Sequence, residues 1–368
     1  MKKILFAAYS LEVGGIEKAL TTLANTLQEK GYKVSIALEK KQGIFLNELN
    51  KNIEIIEYKT SESKNILKRK IANLKNRIKF ILKYKNKFDF SASFATYSIA
   101  SSFMSRVASK NNCLWGHADY LTLFENDENR VKDFFETIKY NKFKHIIFVS
   151  EEGKNSFIKI FPEMKEKTII CNNLIDYKKI KKLADEKIEV QKDNENVTFL
   201  NVGRHDEKQK KLTRIIEASE KLKEDGLKFK VLFVGDGPDN KLYKNMVKEQ
   251  KLEENIIFIG AKQNPYPYFK ISDCVILTSD YEGYPVVFLE SFVLENPIIT
   301  TKVSDYNEIE GKHGLVTTKD TNDIYEKMKE FIQNGYKIKE KFDSEEYNEK
   351  IIKKLEEIFW EEIYKWAK

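Results

Sequence analysis

Short apolar segments alternate with helical patterns along nearly the whole chain, and this alternation restricts the fold more than any other feature. The first apolar segment, at 3–8, is followed by a helical pattern at 17–30 and by a second apolar segment at 33–38. Strands that alternate with helices predict a parallel sheet with helices on both faces. Further strands are predicted at 52–57, 90–94, 112–115, 145–149 and 167–171.

The alternation stops in a charged and polar stretch at 177–195 and then begins again. Strands are predicted at 198–202, 230–234, 256–259, 274–277 and 298–300, and helices at 212–225, 240–250, 267–271 and 285–294. A chain of 368 residues has room for two α/β domains. The predicted organisation is an N-terminal Rossmann-like domain at 1–176, a linker at 177–195, a C-terminal Rossmann-like domain at 196–344 and a last amphipathic helix at 345–368 that packs back on the first domain.

Composition indicates a globular chain from a reducing compartment. Hydrophobic residues make up 41% of the chain and charged residues 33%, which is enough to bury real cores. Cys113, Cys171 and Cys274 lie far apart without metal-ligand spacing, so neither a disulfide framework nor a metal site is expected. No segment has the roughly 20 apolar residues of a membrane span. The expected location is therefore cytoplasmic, with peripheral contact at the inner face of the membrane as a further possibility.

The formal charge of +7 is concentrated in one segment. Residues 64–87 contain ten basic residues and no acidic one, and their apolar residues recur at helical spacing. This pattern predicts a basic amphipathic helix that packs on its domain by the apolar face. A second interpretation adds contact between the basic face and an anionic membrane. No nucleic-acid motif accompanies the charge, so a nucleic-acid partner is not expected.

The segment SDYEGYPVVFLESF at 279–292 contains the most informative motif. It follows a buried apolar strand, and Pro285 suits the first turn of a helix. Glu282 then precedes the helix and Glu290 lies in its second turn, so two carboxylates and a helix N-terminus point to one side. Carboxylates accept hydrogen bonds from vicinal hydroxyls, as in a ribose and a hexose. The backbone between the two acids suits a diphosphate and comprises Gly283, Tyr284, Pro285, Val286 and Val287.

The segment FLNVGRHDEKQKKL at 199–212 supplies basic groups at the end of a neighbouring strand. The strand delivers Gly203 and Arg204 to its carboxyl end, and three lysines follow at Lys208, Lys210 and Lys211. Arginine offers a bidentate fork for phosphate and lysine a mobile charge. Together they would neutralise a diphosphate leaving group, although a solvated basic loop would have the same composition.

The two segments together resemble glycosyltransferase family 4, whose members have the GT-B fold of two Rossmann-like domains facing a cleft. The E-x7-E element of the family matches Glu282 and Glu290. Its G-R…K element matches Gly203, Arg204 and Lys210, with Lys208 and Lys211 as alternatives because Lys211 replaces the glycine that usually follows the lysine. The resemblance also implies that Gly260, at the end of a strand, holds the nucleotide base through backbone groups.

The N-terminal half carries weaker points of resemblance. Gly14 and Gly15 resemble the glycine-rich loop that approaches the donor phosphate. His117, after a predicted strand, resembles the histidine that faces the donor sugar, although a structural role is an equal alternative. In the C-terminal half, Glu308 resembles an acid near the donor, Glu295 replaces a usual glycine, and Gly314 is expected in a tight turn.

The resemblance implies retaining, metal-independent transfer of a hexose or N-acetylhexosamine from a nucleotide-sugar, UDP-linked, to a hydroxyl of a glycan or lipid-linked acceptor. The process would be surface polysaccharide biosynthesis, of capsule, exopolysaccharide or lipopolysaccharide, with no cofactor beyond the donor. Arg204 and Lys210 would carry the phosphate charge, and Glu282 and Glu290 would hold the sugar and the ribose. Two alternatives remain, a sugar-nucleotide epimerase of GT-B architecture and a non-catalytic nucleotide-sugar-binding module. A dehydrogenase would need a glycine fingerprint that the sequence lacks.

Overall fold

The computed structural model describes residues 1–12 and 14–360, which fall into two compact units. Unit 1 contains Met1–Leu174 and the chain from Asn348 onward, and unit 2 contains Ile175–Tyr347. Each unit has its own parallel sheet, of seven strands in unit 1 and six in unit 2. The predicted fold class, two Rossmann-like parallel-sheet domains, is confirmed.

In unit 1 the strands have the order β3-β2-β1-β4-β5-β6-β7, and all neighbours are parallel. The strands are β1 (Lys3–Ala8), β2 (Lys33–Leu38), β3 (Glu54–Glu57), β4 (Phe90–Ser93), β5 (Asn112–Gly116), β6 (His145–Phe148) and β7 (Thr168–Ile170). The helices are α1 (Gly15–Glu29), α2 (Ile66–Tyr84), α3 (Ile99–Ala108), α4 (Tyr120–Leu123), α5 (Glu128–Thr137) and α6 (Glu151–Ile160). The central strand β1 is solvent-inaccessible from Ile4 to Ala7 because helices cover both of its faces.

In unit 2 the strand order is β10-β9-β8-β11-β12-β13, again parallel throughout. The strands are β8 (Val197–Val202), β9 (Phe229–Val234), β10 (Ile256–Phe258), β11 (Cys274–Leu277), β12 (Ile298–Thr301) and β13 (Gly314–Thr317). The helices are α7 (Tyr177–Ala184), α8 (Leu212–Glu224), α9 (Asn240–Glu249), α10 (Tyr266–Ile271), α11 (Val286–Leu294) and α12 (Thr321–Asn334).

Gly314 is not in a tight turn, as the sequence led us to expect, but begins the edge strand β13. It pairs with Ile298 on β12, and a Cβ at this position would lie 1.8 Å from the carbonyl oxygen of Ile298. The residue is therefore glycine because two backbones approach each other here, and not because the chain turns.

The predicted linker at 177–195 is only partly a linker. Its first half forms α7, which belongs to unit 2 and packs there against α10 and α11. Ile180 and Ala184 are buried on its inner side, and Asn264 Nδ2 donates to the Leu183 carbonyl at 2.9 Å. Four lysines on the exposed face concealed this short apolar stripe in the sequence.

The last helix, α13 (Ser344–Trp360), carries its apolar side chains into unit 1. The side chain of Asn111 donates to the carbonyls of Ile358 and Phe359 at 3.2 and 3.0 Å, and the Phe359 ring lies 4.5 Å from the Phe90 ring. The helix thus packs on the N-terminal domain, as predicted. The part of the predicted helix at 361–368 lies outside the described residues.

The basic helix predicted at 64–87 is present as α2, but the apolar face does not hold it on the domain. Phe80 is its buried residue, whereas Leu67 and Leu82 are 72% and 80% exposed. The prediction of a surface helix is correct, and the prediction that its apolar face packs on the domain is wrong.

Candidate functional site

The two acids of the 279–292 segment lie where β11 passes into α11. Glu282 is in the connecting loop and is 8% exposed, and Glu290 is in the second turn of α11 and is 5% exposed. Pro285 precedes the first helical residue, and no side chain caps this helix end. The first backbone N–H groups of an α-helix have no intrahelical acceptor and carry positive partial charge. The loop therefore combines a buried carboxylate with an anion-binding helix end.

Glu282 is held by an ion pair and a hydroxyl. Lys210 Nζ lies 2.6 Å from Glu282 Oε1, and Ser279 Oγ donates to the same oxygen at 2.6 Å. Gln209 Nε2 lies 3.4 Å from the other carboxylate oxygen. A buried carboxylate requires such partners, since an unpaired charge out of water is costly. Among the three candidate lysines, Lys210 is thus the one that the structure places against Glu282.

Lys211 points elsewhere, although its backbone has the conformation that favours glycine. Its φ is +52°, in the left-handed region, at the residue preceding α8. Its Nζ lies 3.7 Å from Glu207 and 4.0 Å from Asp280. Glu295, the second position where the resemblance expects glycine, has φ +58° at the end of α11. Both residues adopt the left-handed backbone conformation that glycine favours. For a residue other than glycine this conformation costs on the order of 1 kcal/mol.

Arg204 is not part of the Glu282–Lys210 group. It follows Gly203 at the carboxyl end of β8, its side chain is 64% exposed, and its guanidinium lies 3.1 Å from Asp206. An exposed ion pair of this kind contributes little to stability. The guanidinium is therefore available to a ligand at this edge at small energetic cost.

The loop that carries Glu282 is clamped by residues that the sequence analysis did not identify. Arg214, on α8, lies 2.8 Å from Asp280 and donates to the Thr278 carbonyl at 2.8 Å. Thr301 Oγ1 donates to the Ser279 carbonyl at 2.7 Å, and Ser304 Oγ donates to the Glu282 carbonyl at 2.8 Å. These contacts come from three separate elements, so no sequence spacing could have revealed them.

Glu290 contacts a different part of unit 2. The hydroxyl of Tyr266, at the start of α10, lies 3.3 Å from Glu290 Oε1. In the same region the Tyr284 hydroxyl donates to Glu308 Oε2 at 2.6 Å, and burial raises the pKa of Tyr284 well above its ordinary value. Glu308, which the sequence analysis places near the donor, therefore anchors the loop before α11.

A cavity of about 520 Å³ lies beside the end of β10. Gly260, which follows this strand, has φ +78°, and its carbonyl accepts a hydrogen bond from Gly235 N at 3.1 Å. The cavity also adjoins α10 and the chain after α7, and its lining comprises Glu186, Ile188, Glu189, Val190, Phe258, Ile259, Lys262, Gln263, Asn264, Pro267 and Tyr268. Pro267 directly follows Tyr266, so the cavity is one residue removed along the chain from the partner of Glu290.

In unit 1, His117 lies at the carboxyl end of β5. Its ring centroid is 4.4 Å from that of Phe94, and its Nε2 is inaccessible and has no hydrogen-bond partner among the described residues. Burial lowers the pKa of His117 to about 3, although a hydrogen bond to the Phe94 backbone acts in the opposite direction. The imidazole is therefore neutral at physiological pH and presents an unused polar atom.

Other polar groups follow the neighbouring strands of unit 1, and the sequence analysis missed them. Tyr9 follows β1, Glu39 follows β2 and Tyr97 follows β4; the two tyrosine rings are 6.4 Å apart, and Tyr97 is 51% exposed. Ser98 bonds to Glu39, and partial burial raises the pKa of both Glu39 and Glu17. Tyr9 and Glu39 come directly after strands, and this position was the sequence pattern that would have identified them.

The glycine pair of unit 1 lies at the start of α1. Gly14 precedes the helix in extended backbone, and Gly15 is its first residue. A Cβ on Gly14 would lie 2.2 Å from a carboxylate oxygen of Glu17. The pair thus marks a helix N-terminus at the carboxyl edge of the sheet.

Comparison with known proteins links part of the chain, most of it in unit 2, to a family. Residues 182–356 match the family model described as glycosyl transferases group 1. The matched segment covers slightly less than half of the chain. It contains Lys210, Glu282 and Glu290, whereas His117 and the glycine pair lie before it.

Proteins similar to this chain include named enzymes and uncharacterised proteins. The chain is 29% identical to an uncharacterised glycosyltransferase of Methanocaldococcus jannaschii over 44% of this chain and 41% of that protein. It is 26% identical to the N-acetylgalactosamine-N,N'-diacetylbacillosaminyl-diphospho-undecaprenol 4-alpha-N-acetylgalactosaminyltransferase of Campylobacter jejuni. That match covers 61% of this chain and 60% of the relative. The matches thus span between two-fifths and three-fifths of the length of these relatives.

Solved structures resemble nearly the whole chain and not only the segment 182–356. HepE of Anabaena, in complex with UDP and glucose, has a TM-score of 0.76 at 17% identity and covers 97% of this chain and 100% of its own. A mutant of TarM of Staphylococcus aureus, in complex with fondaparinux, alpha-GlcNAc-glycerol and UDP, has a TM-score of 0.75 at 13% identity. The match covers 98% of this chain and 100% of the TarM chain. This likeness establishes the GT-B fold.

His117 gives the chain a specific sensitivity to acid. The unfolded chain binds a proton at this histidine below its ordinary pKa near 6.5, whereas the folded chain does so only near pH 3. Stability therefore falls as the pH drops below about 6.5, and we expect His117 to contribute about 2 kcal/mol of the loss between pH 7 and pH 5. Urea unfolding at pH 7 and at pH 5, followed by tryptophan fluorescence, measures this loss of stability.

The matched variants for this measurement are His117→Asn and His313→Asn. Unit 1 should lose less stability between pH 7 and pH 5 in His117→Asn than in the wild type. His313, whose pKa is also lowered by burial, lies in unit 2, so its replacement should leave the unit 1 transition unchanged. An unaltered pH dependence in His117→Asn would contradict the assigned burial.

Proposed function

We propose that this chain is a retaining, metal-independent glycosyltransferase. It transfers a hexose or N-acetylhexosamine from a nucleotide-sugar, UDP-linked, to a hydroxyl of a glycan or lipid-linked acceptor. The observation that carries the proposal is the Lys210–Glu282 pair beside the N-terminus of α11, within the segment that matches the group 1 glycosyltransferase family model. An ammonium, a carboxylate and a helix N-terminus are the groups that a sugar diphosphate requires.

The donor diphosphate is bound by Lys210, Arg204 and the first N–H groups of α11. Lys210 is already held in place by Glu282, whose carboxylate is itself fixed by Ser279, so little reorganisation is needed when phosphate charge arrives. Arg204 is exposed and reaches the phosphate as a bidentate donor. The carboxylate of Glu282 accepts hydrogen bonds from sugar hydroxyls, and that of Glu290 accepts them from the ribose.

The nucleoside end lies towards the cavity beside β10. Glu290 is joined through the Tyr266 hydroxyl to α10, whose residues Pro267 and Tyr268 line the cavity. Backbone groups at 258–260 then face the base. The UDP in complexes of HepE and TarM supports this choice of nucleotide.

Transfer proceeds without a protein nucleophile. The bond between the anomeric carbon and the phosphate oxygen breaks, and the acceptor hydroxyl forms its bond on the face that the phosphate leaves. The departing phosphate oxygen takes the hydroxyl proton, so both atoms and charge balance. Fixed positive groups around the leaving group contribute about 3 kcal/mol each to such a step.

We assign the acceptor to unit 1, which carries polar groups at the carboxyl edge of its own sheet. Neutral His117 bonds to a sugar hydroxyl only where its buried Nε2 becomes accessible, and its low pKa of about 3 excludes a role as a general acid near neutral pH. Tyr9, Tyr97, Glu17 and Glu39 offer rings and carboxylates at the same sheet edge, and both types of group bind sugars.

The biological setting that we propose is surface polysaccharide biosynthesis at the cytoplasmic side of a membrane. The named relatives support this setting, since one carries an undecaprenol-linked acceptor in its name and another is a capsular polysaccharide biosynthesis glycosyltransferase of Staphylococcus aureus.

The decisive experiment uses the full chain with a panel of sugar nucleotides and with acceptors that end in a free hydroxyl. We expect Arg204→Ala to lower kcat/KM for the donor by about 100-fold, and Glu290→Ala to raise the donor KM about tenfold or more. Glu295→Gly is the control, because it removes an acid from the other end of α11 at a residue with φ +58°. NMR of the product gives the anomeric configuration, and added EDTA tests metal independence.

Three results would overturn the proposal in different ways. Conversion of a sugar nucleotide to its epimer without acceptor would identify an epimerase. Donor binding without turnover on any acceptor would identify a binding module. Normal transfer and normal nucleotide binding in both Arg204→Ala and Glu290→Ala would show that the site lies elsewhere.

A further inference from the structure

Helix α2 exposes a stripe of large apolar side chains. Six of them are between 49% and 80% exposed, and they make up half of the twelve exposed large apolar side chains that the described residues contain. They are Ile66, Leu67, Ile71, Leu74, Ile78 and Leu82. A contiguous apolar surface of this kind marks an interaction site in a globular protein.

The opposite side of α2 attaches it to unit 1 without help from this stripe. Asn73 accepts a hydrogen bond from Ser61 N at 2.8 Å, and Asn76 donates to the Lys59 carbonyl at 2.5 Å. Phe80 is buried and packs edge-on against Tyr58, with ring centroids 5.6 Å apart. At about 100° of rotation per residue, this attached face and the apolar stripe are centred about 155° apart. The apolar stripe therefore has no role in holding the helix on the domain.

Positive charge borders the apolar stripe on both sides. By the same helical rotation, Lys68, Lys75 and Lys79 follow one edge of the stripe and Lys70 lies at the other. All four are exposed, and the whole segment 64–87 contains ten basic residues and no acidic one. Lysine extends an apolar stem along an apolar surface while its ammonium group stays in water.

We propose that α2 docks unit 1 on an anionic lipid bilayer. The helix lies in the plane of the interface, with its apolar stripe among the acyl chains and its lysines at the headgroup phosphates. An apolar stripe bordered by lysine is the pattern of interfacial helices, and each well-placed lysine strengthens the attachment about fivefold. Among the described residues, no helix is both long enough and apolar enough to cross a bilayer.

Charge complementarity selects the bilayer over other occupants of this face. A second copy of the segment 64–87 would bring ten further basic residues against the first ten, without an acidic residue in either segment. A nucleic acid would match the lysines but would leave the apolar stripe in water. A bilayer with anionic headgroups satisfies both features at once, and the inference does not depend on the proposed transfer reaction.

The test is co-sedimentation of the full chain with vesicles of phosphatidylcholine, with and without phosphatidylglycerol. We expect binding only to vesicles that contain phosphatidylglycerol, and weaker binding at high salt. Lys75→Glu/Lys79→Glu should weaken binding at least about 20-fold. Ile71→Ser/Leu74→Ser/Ile78→Ser should weaken it at least about tenfold, because these exposed side chains contribute apolar area to the contact.

Each variant has a matched control elsewhere on the chain. Lys181→Glu/Lys182→Glu makes the same charge change on α7, a lysine-rich helix whose apolar residues are buried. Leu242→Ser/Ile257→Ser removes exposed apolar side chains from unit 2. Both controls should bind like the wild type, and far-ultraviolet circular dichroism verifies that all variants fold.

Equal binding to both kinds of vesicle, or α2 variants that bind like the wild type, would overturn the proposal. So would a wild type that does not bind vesicles. In that case, a dimer in analytical ultracentrifugation that the serine variant dissociates would assign the face to a second copy. Salt-sensitive binding of duplex DNA that the glutamate variant abolishes would assign it to nucleic acid.

Discussion

Replacement of Lys210 by alanine is expected to lower kcat about 10²–10³-fold, whereas the same change at the adjacent Lys211 should lower it by less than about threefold. Lys210 Nζ lies 2.6 Å from Glu282, at the edge where we place the diphosphate, and Lys211 is directed to Glu207 and Asp280. The side chain of Lys210 therefore neutralises the leaving group and that of Lys211 does not. Steady-state kinetics with a saturating donor measures the difference.

The partner carboxylate provides the control for a purely structural effect. Lys210→Ala leaves the charge of Glu282 buried without its ammonium partner, which costs stability as well as catalysis. In the double variant Lys210→Ala/Glu282→Gln this stability loss should largely disappear, while kcat should stay well below that of the single variant Glu282→Gln. If the double variant has the same kcat as Glu282→Gln, Lys210 only holds Glu282 in place.

Gly314→Ala is expected to lower the free energy of unfolding of unit 2 by about 3 kcal/mol or more. The new Cβ would lie 1.8 Å from the Ile298 carbonyl oxygen, so β13 would have to separate from β12 or shift along it. Gly203→Ala is the matched control, because the nearest atom to its Cβ, Lys210 Cε, is at an ordinary contact distance of 3.6 Å. Urea unfolding followed by far-ultraviolet circular dichroism measures both.

Tryptophan fluorescence separates the two units in this experiment. The stretch Ile175–Tyr347 that forms unit 2 contains no tryptophan. Gly314→Ala should therefore shift the circular dichroism transition while the fluorescence transition stays in place. A Gly314→Ala chain as stable as Gly203→Ala would show that β13 does not pair with β12 at this position.

The elements that could be predicted from the sequence are those in which local pattern and tertiary environment agree. Strand β11 is a continuous apolar run, and it is buried on both faces, as such runs are in parallel sheets. The strand–loop–helix setting of Glu282 and Glu290 follows from this run and from Pro285. Strand β13 was missed because it is short and begins with a glycine, which has low strand propensity.

Other features depend on contacts that no sequence pattern contains. Glu282 pairs with Lys210 and not with Lys211. This choice depends on the path of the loop, in which Lys211 has a left-handed backbone. The attached side of α2 is polar and aromatic, through Asn73, Asn76 and Phe80, so a rule that turns the apolar side inward assigns the wrong face. The contacts of Arg214 and Thr301 with the Glu282 loop come from distant elements of the sheet.

The return of α13 to unit 1 imposes an order on folding during synthesis. Unit 2 is one continuous stretch, Ile175–Tyr347, and every part of it leaves the ribosome before Phe359. Until then Phe90 and Asn111 lack the aromatic ring and the carbonyl oxygens that cover them in the finished protein. The half of the molecule that is translated first is thus the last to be completed, and a nascent chain arrested before residue 348 displays an uncovered apolar edge to chaperones.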